Sequence, residues 1–347
     1  MLKKLSVSAV AAGALVAAVA AGLGPVAASA SPASVPSPSP TSASASASAA
    51  AAAPLSNARI AAHFDLAQGR TPENIALAPD GSAYVTFAKA RQIARVSPKG
   101  GVRILATLPE AADGGVSTPA LGFPLTVGIV RADDGTLYFL YATGTSDLTG
   151  VWRLRPGGEP QRIAELPADG LPNGLALDAR TGSLYVADSV RGTVWSVPVR
   201  GGSPTAWSTA PELAPTGFLG ANGLKVHEGA VWVTNFDKGT VLRIPVLRNG
   251  SAGHIQTRAV GMPGIDDIAF TGHGSRLLAA LDGSNEVALV RPDGSHSTVL
   301  TSADGLQNPT SLAVRGRTVY VLSAGWLTGE DPNLILAHRN ERADGQR

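Results

Sequence analysis

The stretch over residues 171–189, LPNGLALDARTGSLYVADS, limits the possible folds of this chain more than any other. Its two short apolar segments, joined by a polar turn through Gly182, are typical of a β-hairpin. The start of its first strand recurs every 44 to 54 residues, at Glu73, Val127, Asn173, Asn222, Asp266 and Thr310. One four-stranded propeller blade needs about 40 to 50 residues. The copies therefore predict an all-β fold, a six-bladed β-propeller.

The sixth repeat has only three predicted strands, over residues 311–314, 318–322 and 334–337. Residues 58–66 precede the first blade and resemble the outer strands elsewhere. We predict that this segment supplies the missing strand, so that N- and C-terminal strands share the closing blade. Such pairing removes an exposed sheet edge. The alternative is an isolated N-terminal strand.

Both ends of the chain differ in composition from the repeats. Residues 1–30 carry Lys3 and Lys4, an apolar run and an Ala28-Ser29-Ala30 end, which indicate a secretory signal peptide, with a membrane anchor as the alternative. Residues 31–57 are nearly all Ala, Ser and Pro and predict a disordered linker. The propeller is expected over 58–340, followed by a polar tail at 341–347. We expect a secreted, extracellular protein, with cell-envelope association left open.

Charge and cysteine content exclude several partners. Removal of residues 1–30 would leave 26 basic and 26 acidic residues, a balance that argues against nucleic acid and anionic membranes as partners. The sequence contains no cysteine, so an exported domain must be stabilised by its core. We expect a monomer that takes a small-molecule substrate or ligand and does not insert into membranes.

Oxygen-bearing side chains recur where one mouth of the propeller channel is expected. In an up-and-down blade, the start of the first strand and the end of the second strand lie at the same face. The starts supply Glu73, Asn173, Asn222 and Asp266, with Asp267 adjacent, and the ends supply Asp188, Asn235 and Asp282. Carboxylates and amides suit Ca²⁺, which accepts about six to eight oxygen ligands. Asn and Asp before Gly also form plain turns, which is the alternative.

Long loops are expected over the same mouth. They contain Phe123, Phe218 and Trp326, which we predict to line a substrate pocket above the polar floor. The alternative is that these apolar loops pack on one another.

PNGLALD followed by LYVADS resembles the senescence marker protein, gluconolactonase and luciferin-regenerating enzyme family, six-bladed propellers that bind a divalent cation in the channel. The chain is also similar to the calcium-dependent phosphotriesterase group and, more loosely, to NHL-repeat propellers. The resemblance implies that Glu73 and Asn173 bind the metal. The family's third ligand is an aspartate that serves as acid or base, and it corresponds here to Asn222. Since an amide cannot shuttle a proton, Asp266 or Asp267 could take over that role.

The resemblance implies a metal-dependent hydrolase of a lactone or related ester, in which the cation polarises the carbonyl. A non-catalytic extracellular propeller that binds a ligand or protein is the alternative, and the missing aspartate favours it. A histidine-dependent lyase is a third possibility, although the six histidines follow no repeated motif.

Overall fold

The computed structural model describes residues 53–340. The predicted signal peptide, residues 31–52 of the predicted linker and the tail at 341–347 lie outside the described residues. Within them no helix is long and apolar enough to span a bilayer.

The described chain forms six four-stranded antiparallel sheets arranged as a six-bladed β-propeller, as predicted. Each blade is named by its place along the chain, with its innermost strand given first. Blade 1 comprises β2 (Pro72–Leu77), β3 (Ala83–Phe87), β4 (Gln92–Val96) and β5 (Val102–Thr107). Blade 2 comprises β6 (Leu125–Arg131), β7 (Leu137–Ala142), β8 (Gly150–Leu154) and β9 (Gln161–Glu165). Blade 3 comprises β10 (Pro172–Asp178), β11 (Ser183–Asp188), β12 (Thr193–Pro198) and β13 (Thr205–Ser208).

The remaining blades follow the same order. Blade 4 comprises β14 (Ala221–His227), β15 (Ala230–Asn235), β16 (Thr240–Pro245) and β17 (Gln256–Ala259). Blade 5 comprises β18 (Ile265–Phe270), β19 (Leu277–Leu281), β20 (Glu286–Val290) and β21 (His296–Leu300). Blade 6 comprises β22 (Pro309–Arg315), β23 (Thr318–Ser323), β24 (Asn333–Arg339) and β1 (Leu55–His63).

The closing blade joins the two ends of the described chain, which confirms that prediction. β1 runs antiparallel to β24, from the pair Leu55 and Arg339 to the pair His63 and Asn333. The strand is displaced by three residues from the predicted segment 58–66. It starts at Leu55, within the predicted linker, and ends at His63, and Leu66 belongs to a short 3₁₀ helix, Leu66–Gln68. Without β1, the outer edge of β24 would be unpaired; the pairing with β1 covers it.

The inner strands approach one another closely around the channel. A Cβ added at Gly174 would lie 2.2 Å from the carbonyl oxygen of Asn222, and one at Gly223 would lie 2.4 Å from that of Asp266. Only glycine fits between backbones at these distances. The glycines therefore bring the first residues of blades 3, 4 and 5 side by side.

Apolar side chains of the second strands fill the space between blades. Val85, Phe139, Val186, Val233, Ala279 and Val321 are fully buried, and each is paired with an apolar residue of the neighbouring inner strand. These pairs define equivalent positions in all six blades and so allow the channel residues to be placed.

Candidate functional site

Strand register places the predicted first-strand donors at one channel mouth. Ile75, Leu175, Leu224 and Ile268 occupy equivalent pairs with the second strands of their blades. Glu73, Asn173, Asn222 and Asp266 stand two residues before them and therefore occupy equivalent positions. All four are buried, with at most 7% of the residue surface exposed. Together with Asp282 we name them the upper ring.

Hydrogen bonds hold part of the upper ring in place. The Nδ2 amide of Asn222 donates to Oδ1 of Asp266 over 3.1 Å, and its Oδ1 accepts from Ser189 Oγ over 3.4 Å. The indole Nε1 of Trp326 donates to Oε2 of Glu73 over 3.1 Å. Asn222 thus acts as an orienting partner for Asp266.

The carboxyl groups of the upper ring have raised pKa values. Burial raises the pKa of Glu73 to about 8, the hydrogen bond from Trp326 opposes that rise, and the nearby Asp282 and Asp267 reinforce it. Burial, followed by the charges of Glu73 and Asp282, raises the pKa of Asp266 well above its usual value. Burial also raises the pKa of Asp282 to about 7. Without a cation, these groups are stabilised in their protonated forms near neutral pH.

A second polar layer lies next to the upper ring along the channel. It consists of Asn74, Asp267, Ser311 and Lys225, which we name the lower ring. Lys225 Nζ donates to both carboxylate oxygens of Asp267, over 2.7 and 2.6 Å. Oδ2 of Asp267 also accepts from Ser311 Oγ over 2.7 Å and from Asn74 Nδ2 over 3.4 Å. Asp267, a predicted catalytic residue, is therefore engaged in an ion pair, and Asp266 remains the freer of the two aspartates.

The predicted second-strand set divides into two groups. Asp188 pairs with Pro172, and Asn235 pairs with Ala221. In blade 5 the equivalent partner of Ile265 is Leu281, so Asp282 lies one residue further along. Because successive residues of a strand point to opposite faces, this offset turns Asp282 towards the acids of the upper ring.

Asp188 and Asn235 stabilise turns. Asp188 Oδ1 accepts from the backbone N–H groups of Leu171 and Arg191 at 2.9 and 3.0 Å, and Oδ2 accepts from Trp195 Nε1 at 3.2 Å. Asn235 Nδ2 donates to the backbone carbonyls of Glu212 and Ala214, at 2.9 and 3.0 Å. We therefore place these two residues among the turn contacts, whereas the sequence had suggested a pocket lining.

Two of the three predicted pocket aromatics lie together. The rings of Phe123 and Trp326 have centroids 5.9 Å apart, and Trp326 contacts Glu73 as described. Phe218 is 46% exposed and packs edge-on against Phe236 at 6.1 Å. The loops thus pack on one another, and they also place one aromatic pair beside the channel.

Lys89 belongs to the same aromatic cluster and was missed by the sequence reasoning. Its Nζ lies 5.0 Å from the centre of the Phe123 ring and 4.9 Å from that of Trp326. Its position in the turn between β3 and β4, which opens on this mouth, was the available signal.

The loop that carries Trp326 is tied to the upper ring through Asn308. The backbone N–H groups of Leu327 and Thr328 each donate to Asn308 Oδ1 over 2.9 Å. Asn308 Nδ2 in turn donates to the backbone carbonyl of Asp282 over 3.1 Å. Trp326 and Asp282 are therefore positioned by one buried side chain.

The donor chemistry of the upper ring fits a hard cation, although the present spacing does not. Among residues 53–340, no group of three or more histidine, aspartate or glutamate side chains is arranged to hold a metal ion. However, Asp282 Oδ1 is buried with no hydrogen-bond partner, and the Asn173 side chain makes no hydrogen bond within the same part of the chain. Asn222 presents its amide nitrogen to Asp266, so its carbonyl oxygen would have to rotate to reach a cation.

Histidine does not contribute to the mouth. None of the six histidines, all within residues 53–340, is buried. His227, for example, stacks on Phe270 and contacts the Gly274 carbonyl at the end of β14. The lyase alternative therefore finds no histidine among the channel acids.

No protein family model matches the sequence. No curated protein matches it either. Solved structures share its fold. A candidate gluconolactonase is 18% identical, with 82% of this chain and 92% of that chain covered and a TM-score of 0.58.

Two further neighbours have related architectures. A calcium-binding protein, regucalcin, from Agrobacterium tumefaciens is 15% identical over 80% of this chain and 93% of that chain, with a TM-score of 0.58. A catalytically inactive virginiamycin B lyase from Staphylococcus aureus, with quinupristin, is 18% identical over 78% and 82%, with a TM-score of 0.56. The structural neighbours thus include gluconolactonase-like and regucalcin-like propellers, and at these identities the likeness shows the fold alone.

Proposed function

We propose that the upper ring binds a divalent cation, for which Ca²⁺ is the best fit, and that the protein is a secreted hydrolase of a lactone or related ester. The observation that supports this most is the convergence of Glu73, Asp266 and Asp282, buried carboxyls with raised pKa values, on one channel mouth. A cation would relieve both their desolvation and their mutual repulsion. The names of two structural neighbours, a gluconolactonase and a calcium-binding protein, agree with the proposal.

Residues of the upper ring have distinct roles in this proposal. Glu73, Asp282 and the side-chain oxygen of Asn173 would hold the cation. When bound, the cation would polarise the carbonyl of the substrate. Asp266 would accept a proton from the attacking water at Oδ2 and return it to the leaving oxygen, because its Oδ1 is held by Asn222. Phe123 and Trp326 would cover the mouth beside Glu73.

Calcium titration calorimetry combined with metal analysis of the purified protein tests the cation site. We expect the wild type to bind Ca²⁺ and to release protons on binding, since the acids must ionise. Glu73→Gln removes a ligand and a charge and should weaken binding at least about tenfold, more than Asn222→Ala does. Glu159→Gln makes the same chemical change at an exposed turn of blade 2 and should have no effect. Equal affinity of Glu73→Gln and wild type would exclude this site.

A panel of lactones and esters tests the reaction, and Asn222→Asp sharpens it. This substitution introduces a carboxylate where the resembling family has its aspartate. We expect faster hydrolysis and tighter Ca²⁺ binding, because a fourth acid joins the ring. If Asn222→Asp and wild type both fail to hydrolyse the panel while still binding Ca²⁺, the hydrolase proposal is wrong and the cation site stands.

The second candidate function is a non-catalytic extracellular propeller that binds a ligand or protein. The hydrogen bond by which Asn222 donates to Asp266 favours it, since it occupies an oxygen that a reaction could use. A metal-free and inert protein would support this candidate.

The proposed secretion is tested separately, by fractionation of a producing culture and by the mass of the mature chain, which should lack residues 1–30. Retention of the whole chain in the cell would contradict it.

A further inference from the structure

The Lys89 ammonium is held at the channel mouth without a carboxylate partner. It lies over the faces of Phe123 and Trp326, at 5.0 and 4.9 Å from the ring centres. Lys89 is exposed, and it makes no ion pair with any acid of residues 53–340. Two rings from separate loops therefore fix a charge that remains open to solvent.

Trp326 separates this positive charge from the negative side of the mouth. Its N–H edge donates to Glu73, and its ring face receives Lys89. One indole thus contacts both the Lys89 ammonium and the Glu73 carboxyl. The arrangement presents an aromatic surface with an ammonium at its solvent side and buried acids at its channel side.

We infer that the mouth takes a small ring-shaped organic acid, or a lactone or ester that keeps a separate ionised group. Its oxyanion, a carboxylate or a phosphate, binds Lys89 while its ring packs beside Phe123 and Trp326. This inference rests on the proposed function, because it names the substrate class of the same site. A carbohydrate ring fits an aromatic surface of this kind, and a lysine ammonium is a common ligand of both oxyanions.

Equilibrium binding tests the inference without turnover. The full protein would be titrated calorimetrically with glucose, glucuronate and glucose 6-phosphate in the presence of Ca²⁺. We expect at least one of the two acids to bind about tenfold tighter than glucose, and the comparison of the two distinguishes carboxylate from phosphate. Addition of salt should weaken the binding of the acid and leave that of glucose unchanged.

Variants locate the binding. Lys89→Gln should lose about tenfold in affinity for the acid, and Lys89→Arg should restore most of it. Lys99→Gln, a matched change at an exposed turn, should have no effect. Phe123→Ala should weaken binding of glucose and of the acids alike, because it removes the ring surface. The inference is overturned if both acids bind no better than glucose, or if Lys89→Gln binds them as wild type does.

The same titrations in Glu73→Gln separate this inference from the proposed function. Lys89-dependent binding that persists in Glu73→Gln, together with a wild type that hydrolyses no member of the lactone panel, would support the inference and reject the hydrolase. Hydrolysis of neutral lactones with no preference for acids would do the reverse. Circular dichroism of each variant verifies that the propeller is folded.

Discussion

Asp266 and Asp267 are adjacent in sequence, and they lie in two different rings of one channel. Asp267 is 1% exposed and is matched by the Lys225 ammonium and two further donors. Asp266 is 7% exposed and accepts one neutral hydrogen bond while Glu73 and Asp282 lie nearby. The lower ring is therefore charge-balanced, and the upper ring is not. Two acids of similar burial therefore differ in whether a counter-charge lies within reach.

The two rings also differ in what they can contribute. A balanced ion pair with saturated oxygens holds inner strands together and leaves no site for a ligand. Buried acids without a counter-charge lower the stability of the protein, and binding of a cation to them raises it. We therefore assign structural work to the lower ring and ligand binding to the upper ring.

The largest expected effect comes from unbalancing the lower ring. Lys225→Met leaves Asp267 buried and unpaired, and it should reduce the free energy of unfolding by about 3–5 kcal/mol. The double variant Lys225→Met with Asp267→Leu should recover much of this loss. Urea denaturation measures both, with Lys99→Met as the control at an exposed turn. A loss below about 1 kcal/mol would show that the pair does not balance the ring.

The second-largest effect is expected in the pH dependence of stability, which should come from the acids of the upper ring. The pKa of Glu73 rises from 4.5 to about 8 on folding, so the folded state holds its proton more tightly than the unfolded state. The stabilisation is complete at low pH and is lost as pH rises through the interval from about 4.5 to 8. We expect the metal-free protein to lose about 2–4 kcal/mol across this interval, on top of other titrations.

Ca²⁺ should flatten that profile, because it binds the ionised acids. Without Ca²⁺, Glu73→Gln should make the profile shallower, since Asp266 and Asp282 still titrate, whereas Glu159→Gln should leave it unchanged. Chemical denaturation at a series of pH values, with EDTA or Ca²⁺, gives the comparison. A profile that rises between about pH 5 and pH 8 in EDTA would contradict the raised pKa values.

Asp188 and Asp282 test the effect of a one-residue difference in strand register. Asp188→Ala removes three hydrogen bonds of a turn and should cost about 2 kcal/mol of stability, with Ca²⁺ binding retained. Asp282→Ala removes an unpartnered buried carboxyl and should weaken Ca²⁺ binding with little loss of stability. Urea denaturation and calorimetry on the two variants give both quantities. The opposite pattern would mean that the one-residue offset has no consequence.

The smallest effect is expected at Trp326. Its hydrogen bond lowers the pKa of Glu73, so Trp326→Phe should raise that pKa and shift the upper limit of the pH profile to higher pH. The expected change in stability is about 0.5–1.5 kcal/mol. An unchanged profile would show that the indole does not act on the carboxyl.

The repeat spacing was sufficient to predict the fold, because a hairpin copied at blade-sized intervals has few other solutions. Burial and pairing then agree with the predicted first-strand positions of Glu73, Asn173, Asn222 and Asp266. Asp282 could not be separated from Asp188 in the same way, since a one-residue difference in strand register is invisible without the pairing partner. Lys89 could not be predicted from the sequence, because a cation that contacts rings of distant loops produces no local sequence pattern.

Closure of the ring by β1 has a consequence for how the chain folds. The strand Leu55–His63 pairs with Asn333–Arg339, so more than two hundred residues must be made before its partner exists. During synthesis from the N-terminus, the apolar side chains of β1 stay exposed until β24 has been made. Contacts of such long sequence separation form slowly. A circular permutant opened at the exposed turn around Asn249 and Gly250 would make blade 6 from continuous chain. Closure would then depend on blade 4, so the late pairing step should move from blade 6 to blade 4.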